Sequence, residues 1–159
     1  MNRYFEIVDR LGNPSERFTA AHQMSAGGHG ARENRGKPLP EEKIDALIWG
    51  LSHKNPLVRR CCLELLDQHP DSRAVPHILA ALDDPVPRVR WHSVHALLCD
   101  ACKGGGSFLT PEIAARLEVV AADDPSANVR GYARTALTAG RHPGSDPASS
   151  RGVNRRESP

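Results

Sequence analysis

Aromatic residues are scarce in this sequence, where Phe, Tyr and Trp make up 4% of 159 residues. Such a chain has few large anchors to spread over two separate cores, and it suits one domain or a short repeat array. An excess of one charge is lacking too, since 21 Lys and Arg face 19 Asp and Glu for a formal net charge of +2. No global field therefore selects nucleic acid or a membrane as partner. The opening run MNRYFEIVDRLGNPSERF contains no long apolar stretch, because charge interrupts it every few positions. It reads as neither a signal peptide nor a membrane span, and we expect a cytoplasmic protein with no membrane partner. In that setting the four cysteines are expected as reduced thiols or ligands, not disulfides.

Catalytic motifs are missing as well. SAGGHGARENRGK at residues 25–37 is glycine-rich but follows no strand, so it is not a nucleotide loop, and no nucleophile elbow occurs. The Asp-Asp pairs at 83–84 and 123–124 have a sufficient role in starting helices. The expectation is a non-enzyme without a cofactor.

Repetition is what the sequence does contain. DDPVPRVRW at residues 83–91 returns as DDPSANVRG at 123–131 and more loosely as HKNPLVRRC at 53–61. Aligned on it, the chain shows Asn13-Pro14 with Arg17, Asn55-Pro56 with Arg59, Asp84-Pro85 with Arg90, and Asp124-Pro125 with Arg130. The arginines recur at about 30 to 40 residues, a period typical of repeat architectures. Asn or Asp at an N-cap accepts a hydrogen bond from a free backbone N–H, and Pro at the first helical position has no N–H to leave unsatisfied. Each phrase should therefore start a helix with its Asx residue as cap.

Apolar spacing agrees. After the turns come Val58, Cys62, Leu65 and Leu66; Val89, Ser93, Ala96 and Leu97; and Val129, Ala133, Ala136 and Leu137. Before them come Tyr4, Ile7, Val8 and Leu11; Ile44, Leu47, Ile48 and Leu51; Val75, Ile78, Leu79 and Leu82; and Ile113, Leu117 and Val120, where Arg116 breaks the pattern. The unit is helix, short turn, helix.

Two-helix units joined by a DDPxxxVR turn resemble the HEAT-like repeats, particularly the short bacterial type also found in relatives of phycobilisome lyases. The resemblance covers residues 41–139 well and 2–24 weakly, since Glu16 and Gln23 stand where apolar residues belong. It implies an all-α, right-handed α-solenoid of antiparallel helix pairs, with about three clear repeats plus a degenerate N-terminal pair over residues 1–24 acting as a cap. Such arrays are mostly protein-binding scaffolds, so a non-catalytic scaffold or adaptor is the function implied. Residues 25–40 should form a flexible Gly- and Pro-rich loop, Thr110-Pro111 should cap a helix, and residues 140–159, without apolar periodicity, should be a disordered tail.

The arginine column suits a phosphate ladder or a structural pairing. The latter is favoured because each Arg travels with its turn, with Asp83 and Asp123 as natural acceptors. Variable positions are better candidates for binding. In HEAT-like arrays the second helix of each pair usually lines the concave face, which would expose Phe18, Thr19 and His22; Arg60, Cys61 and Glu64; Trp91, His92 and His95; and Gly131, Tyr132 and Thr135. A central Trp beside Arg and Tyr has the composition of a binding hot spot, so Phe18, Arg60, Glu64, Trp91, His92, His95 and Tyr132 are the candidate partner-binding residues. Packing of Trp91 against a neighbouring helix is the alternative.

HSVHALLCDACK places His92, His95, Cys99 and Cys102 on one side of a helix. These are zinc-type ligands, but on one straight helix they would spread over about 15 Å, beyond the reach of a tetrahedral ion. At most two neighbours would bind, joined by a loop residue such as His29 or by another chain. Ordinary surface histidines and half-buried thiols are therefore expected, and no metal. A Cys99-x-x-Cys102 redox pair is disfavoured by its place at a helix end, because activated thiols favour the N-terminus. Cys61 and Cys62 are expected to serve packing and surface. Three functions stay open: a scaffold for another protein or peptide, a nucleic-acid-binding module, and a metal- or thiol-dependent regulator.

Overall fold

The computed structural model describes residues 3–26, 32–99, 102–103 and 108–140. Expectations for His29 and for the tail beyond Gly140 lie outside these residues. Among the described residues there are eight α-helices and no strand: α1 (Tyr4–Arg10), α2 (Arg17–Met24), α3 (Glu41–Gly50), α4 (Pro56–Gln68), α5 (Val75–Ala80), α6 (Pro87–Leu98), α7 (Pro111–Asp123) and α8 (Ala127–Gly140). They pair as α1 with α2, α3 with α4, α5 with α6 and α7 with α8. The second members also pack in series, α2 on α4, α4 on α6 and α6 on α8. This two-layer stack of helix pairs is an α-solenoid, and its apolar stripes face inward.

The core follows the sequence pattern. Val58, Cys62, Leu65 and Leu66 of α4, and Val89, Ala96 and Leu97 of α6, are all buried, together with Val129, Ala133 and Leu137 of α8. Ser93 sits in the same buried column of α6, where its hydroxyl donates to the carbonyl of Ile78 at 2.5 Å and so brings no unmet polar group into the core. Glu16, just before α2, and Gln23 within it are exposed and leave Ala20, Ala21 and Met24 as the buried face. Thr110 caps α7, its hydroxyl accepting from the amide of Ile113 at 3.3 Å.

The recurrent turns differ from expectation in one respect. Only Asn55 caps its helix directly, accepting from the amide of Leu57 with Pro56 at the first helical position. In the other copies the helix begins two or three residues beyond the proline, at Arg17, Pro87 and Ala127. What all four share is an Asx turn in which the side-chain oxygen accepts from the amide two residues on: Ser15, Leu57, Val86 and Ser126.

The arginine column is structural. Arg17, Arg59, Arg90 and Arg130 each donate to the carbonyl six residues earlier, on Leu11, His53, Asp84 and Asp124. Arg59 also grips Asp84 of the following repeat through two hydrogen bonds, at 2.6 and 2.9 Å. Arg90 does the same to Asp124 at 2.7 and 2.9 Å. The acceptors are thus the second aspartates of the pairs, which also form the Asx turns, and not Asp83 and Asp123. Asp83 instead takes Arg116, the residue that interrupts the α7 stripe, at 2.5 Å.

Of the segment expected as a loop, residues 25–26 and 32–40 are described, and the latter stretch is tied to α4. The amide of Gly36 donates to the carbonyl of Gln68 at 2.8 Å, and the buried His69 ring meets the carbonyl of Lys37 at 2.9 Å.

Candidate functional site

Six of the seven candidate side chains lie together on α4, α6 and α8. Arg60 and Glu64, one turn apart, form an ion pair at 3.3 Å, and the same carboxylate oxygen lies 3.5 Å from Nε2 of His92. Trp91 meets His92 edge-on, with centroids 4.9 Å apart, and stacks on His95 at 5.5 Å. Its ring lies 4.3 Å from that of Tyr132 on α8. The strip exists because these residues follow the structural arginine of each repeat by one to five positions, on the side away from the buried stripe. Each is half-buried, so Trp91 both packs on its neighbours and keeps a face toward solvent.

Phe18 stands at the edge, 73% exposed on α2. It rims a groove of about 230 Å³ between α2 and α4 that Ala21, Cys61, Glu64 and Leu65 also line. Thr19, His22 and Thr135 are exposed as expected and Gly131 is half-buried. Cys61 is not exposed: it is 4% accessible where α2 packs on α4, and burial pushes its thiol up. Cys62 is fully buried with its thiol raised for the same reason, so this pair serves packing alone.

His92 is neutral at neutral pH. Burial, followed by the nearby charges of Arg60, Arg88 and His95, holds its pKa down to about 4. Its approach to Glu64 is consequently not an ion pair, and neither its Nε2 nor the Nε of Arg60 makes a hydrogen bond. One carboxylate lies near both nitrogens without aligning with either.

Beside the strip lies a second group that the sequence reading assembled incorrectly. α6 ends at Leu98, and Cys99 adopts an extended conformation (φ −74°, ψ 101°), so His95, Cys99 and Cys102 do not run along one straight helix. The chain turns back on itself, and Cys102 Sγ comes within 3.4 Å of His95 Nε2. The fourth member is Asp67 of α4, 3.2 Å from His95 Nε2 through Oδ2, while His92 is not part of the group. The ligand-type atoms of Asp67, His95, Cys99 and Cys102 all lie within 4.8 Å of one another.

Neighbouring groups fix this arrangement. The buried Lys103 donates to Asp67 Oδ1 at 2.8 Å and to the carbonyl of Cys99 at 3.0 Å, pinning the turn to α4. Burial works against the Asp67 carboxylate, but hydrogen bonds from His95 and Lys103 and the lysine charge outweigh it and hold its pKa below the ordinary value. Tyr132 lies 2.6 Å from His95 Nδ1, its own pKa raised to about 12 by burial, and so it stays a neutral phenol. Burial and hydrogen bonding with Cys99 and Asp67 push the Cys102 thiol up. Two thiols, an imidazole and a carboxylate around one point form a donor set able to hold a borderline cation.

Asp67 and Lys103 were missed from the sequence. No periodic signal marks Asp67, because the places eight residues after the four structural arginines hold Ser25, Asp67, Leu98 and Thr138, a column that is mostly polar. Also missed was a pair on the first-helix layer, Phe5 and the 42% exposed Trp49, with centroids 5.1 Å apart.

The family model described as HEAT repeats matches residues 44–138, over most of these stacked helix pairs. The chain belongs to the HEAT-repeat family. No curated protein and no solved structure matches it. The HEAT match spans α4, α6 and most of α8, and with them the six strip residues from Arg60 to Tyr132.

Proposed function

We propose that this HEAT-repeat protein is a non-catalytic scaffold or adaptor that binds another protein or peptide across its second-helix face. The carrying observation is the unbroken strip Arg60, Glu64, Trp91, His92, His95 and Tyr132 over three consecutive second helices, with Phe18 at its edge. A stacked aromatic centre flanked by charge presents rigid area at low entropic cost, which is how a few residues come to dominate a protein interface. The near balance of charge favours a protein over nucleic acid, and the partner surface is expected to be polar with an apolar centre. Among the described residues no helix is long and apolar enough to cross a membrane.

Capture of the intact protein from its own cell lysate, with and without nuclease, tests this. A stoichiometric protein partner that survives nuclease and is lost from the Trp91→Ala, Arg60→Ala variant, with thermal stability kept, is the expected outcome. Loss of all partners on nuclease treatment, or an undiminished complex in the folded double variant, would refute it.

A further inference from the structure

We propose that Asp67 Oδ2, His95 Nε2, Cys99 Sγ and Cys102 Sγ form a four-coordinate site for Zn²⁺. The proposal is independent of the partner-binding reading. All four atoms already lie within 4.8 Å of one another, whereas two Zn–S bonds of about 2.3 Å at a tetrahedral angle place their sulfurs about 3.8 Å apart. The observed 3.2 Å between His95 Nε2 and Asp67 Oδ2 and 3.4 Å between His95 Nε2 and Cys102 Sγ are edge lengths of such a tetrahedron. Little movement is needed to admit the ion. A hollow of about 250 Å³, lined by Asp67, Trp91, His92, His95 and Cys102 among others, leads to the cluster from solvent.

Donor chemistry selects the metal. Two sulfurs and an imidazole disfavour Mg²⁺ and Ca²⁺, which take oxygen ligands, and suit Zn²⁺, which accepts S, N and O together. Charge suits a divalent ion. Without metal the Asp67 carboxylate is balanced by the buried Lys103 ammonium. On binding, each thiol gives its proton to solvent and a Zn–S bond forms. The two new negative charges cancel the two positive charges of the ion, so the buried group stays neutral overall.

The surrounding residues have the roles that outer partners of a metal site require. Tyr132 sits on Nδ1 of His95, the ring nitrogen away from the cluster. When zinc takes the Nε2 lone pair, the ring carries its proton on Nδ1 and donates it to the phenol oxygen, which fixes tautomer and ring direction. Lys103 holds the second oxygen of Asp67 and the carbonyl of Cys99, and Phe108 covers its ammonium at 5.8 Å.

Titration of the reduced, chelator-treated full chain with Co²⁺, followed by Zn²⁺, tests the site. We expect one Co²⁺ per chain with thiolate charge-transfer and four-coordinate ligand-field absorption, both abolished by one equivalent of Zn²⁺. Cys99→Ser or Cys102→Ser should weaken binding on the order of 100-fold or more, and Tyr132→Phe about 10-fold. His77→Ala, at an exposed histidine of α5, should leave it unchanged. Should a cysteine variant fail to fold, mass mapping of alkylation on the wild-type chain replaces it, with Zn²⁺ expected to protect Cys99 and Cys102. Absence of the charge-transfer band at stoichiometric Co²⁺, a band retained in folded Cys102→Ser, or alkylation of both thiols unaffected by Zn²⁺ would overturn the proposal. A Cys99–Cys102 disulfide forming in air as readily with Zn²⁺ as without would overturn it too, in favour of a redox pair.

Discussion

At the scale of single residues, burial makes His92 sensitive to acid. Its pKa in the fold, about 4, lies below the 6.5 of a free imidazole, so the unfolded chain takes up the proton first as pH falls. The stability tied to the neutral ring is complete above pH 6.5 and is lost as pH falls through 4. Two and a half pH units correspond to about 3 kcal/mol as an upper bound. Arg60, Arg88 and His95 oppose protonation, and Asp67 and Glu64 favour it without overcoming the burial. The denaturation midpoint of the wild type should fall between these pH values more steeply than that of His92→Gln, and parallel curves would show that His92 does not titrate as described. Gly50 is a steric counterpart, because an added Cβ would lie 2.5 Å from Cys62 Sγ and 2.7 Å from Val8 Cγ1. Gly50→Ala should therefore cost about 1–3 kcal/mol by overpacking the meeting of α1, α3 and α4, read as a lower urea midpoint with unchanged slope.

At the scale of elements, the arginine and aspartate of successive repeats form the joints of the stack. Arg90 and Asp124 are nearly inaccessible, with side-chain exposures of 9% and 3%, and removing the arginine strands a buried carboxylate. Arg90→Ala should cost about 3–5 kcal/mol, while Arg17→Ala should cost about 1 kcal/mol. Arg17 faces a repeat that carries Asn55 in place of Asp, and its bond is to the carbonyl of Leu11. Equal losses in urea unfolding would show that the joints are not ionic in origin. The hydrogen bonds from Arg90 hold the pKa of Asp124 below 3.8, so the Arg90 joint should weaken only as pH falls below that value.

The same elements mark what the sequence made legible. Repetition of the Asx-Pro-Arg phrase disclosed the helix pairs, and the apolar stripes disclosed their buried faces, because both are local and periodic signals. The helix starts at Arg17, Pro87 and Ala127 were misplaced because Asn13, Asp84 and Asp124 use their side-chain oxygens in an Asx turn that closes before the helix begins. The Cys99 turn was read as continuous helix for a related reason. No proline or glycine stops α6 at Leu98, and the lysine that draws the chain back does so through Asp67, 36 residues away.

At the scale of the whole molecule, two aromatic surfaces compete to be the working face. The second-helix strip centres on Trp91 and Tyr132, and the first-helix layer carries Phe5 and Trp49, with His53 edge-on at 5.8 Å. The strip joins three helices and mixes charge with aromatic area, whereas the other pair joins only α1 and α3. The column logic of the repeat made the strip legible in advance, since its residues recur at fixed offsets from the ladder arginine. Trp49 was not legible because it lies outside the apolar stripe of α3 and recurs in no other first helix.

Amide hydrogen exchange of the chain, alone and in its captured complex, separates the two faces directly. We expect partner-induced protection in peptides spanning residues 60–64, 91–95 and 132–135, with those spanning 4–9 and 45–53 unchanged. Protection confined to the Phe5 and Trp49 region, with α4, α6 and α8 exchanging as in the free protein, would contradict the assignment of the second-helix face.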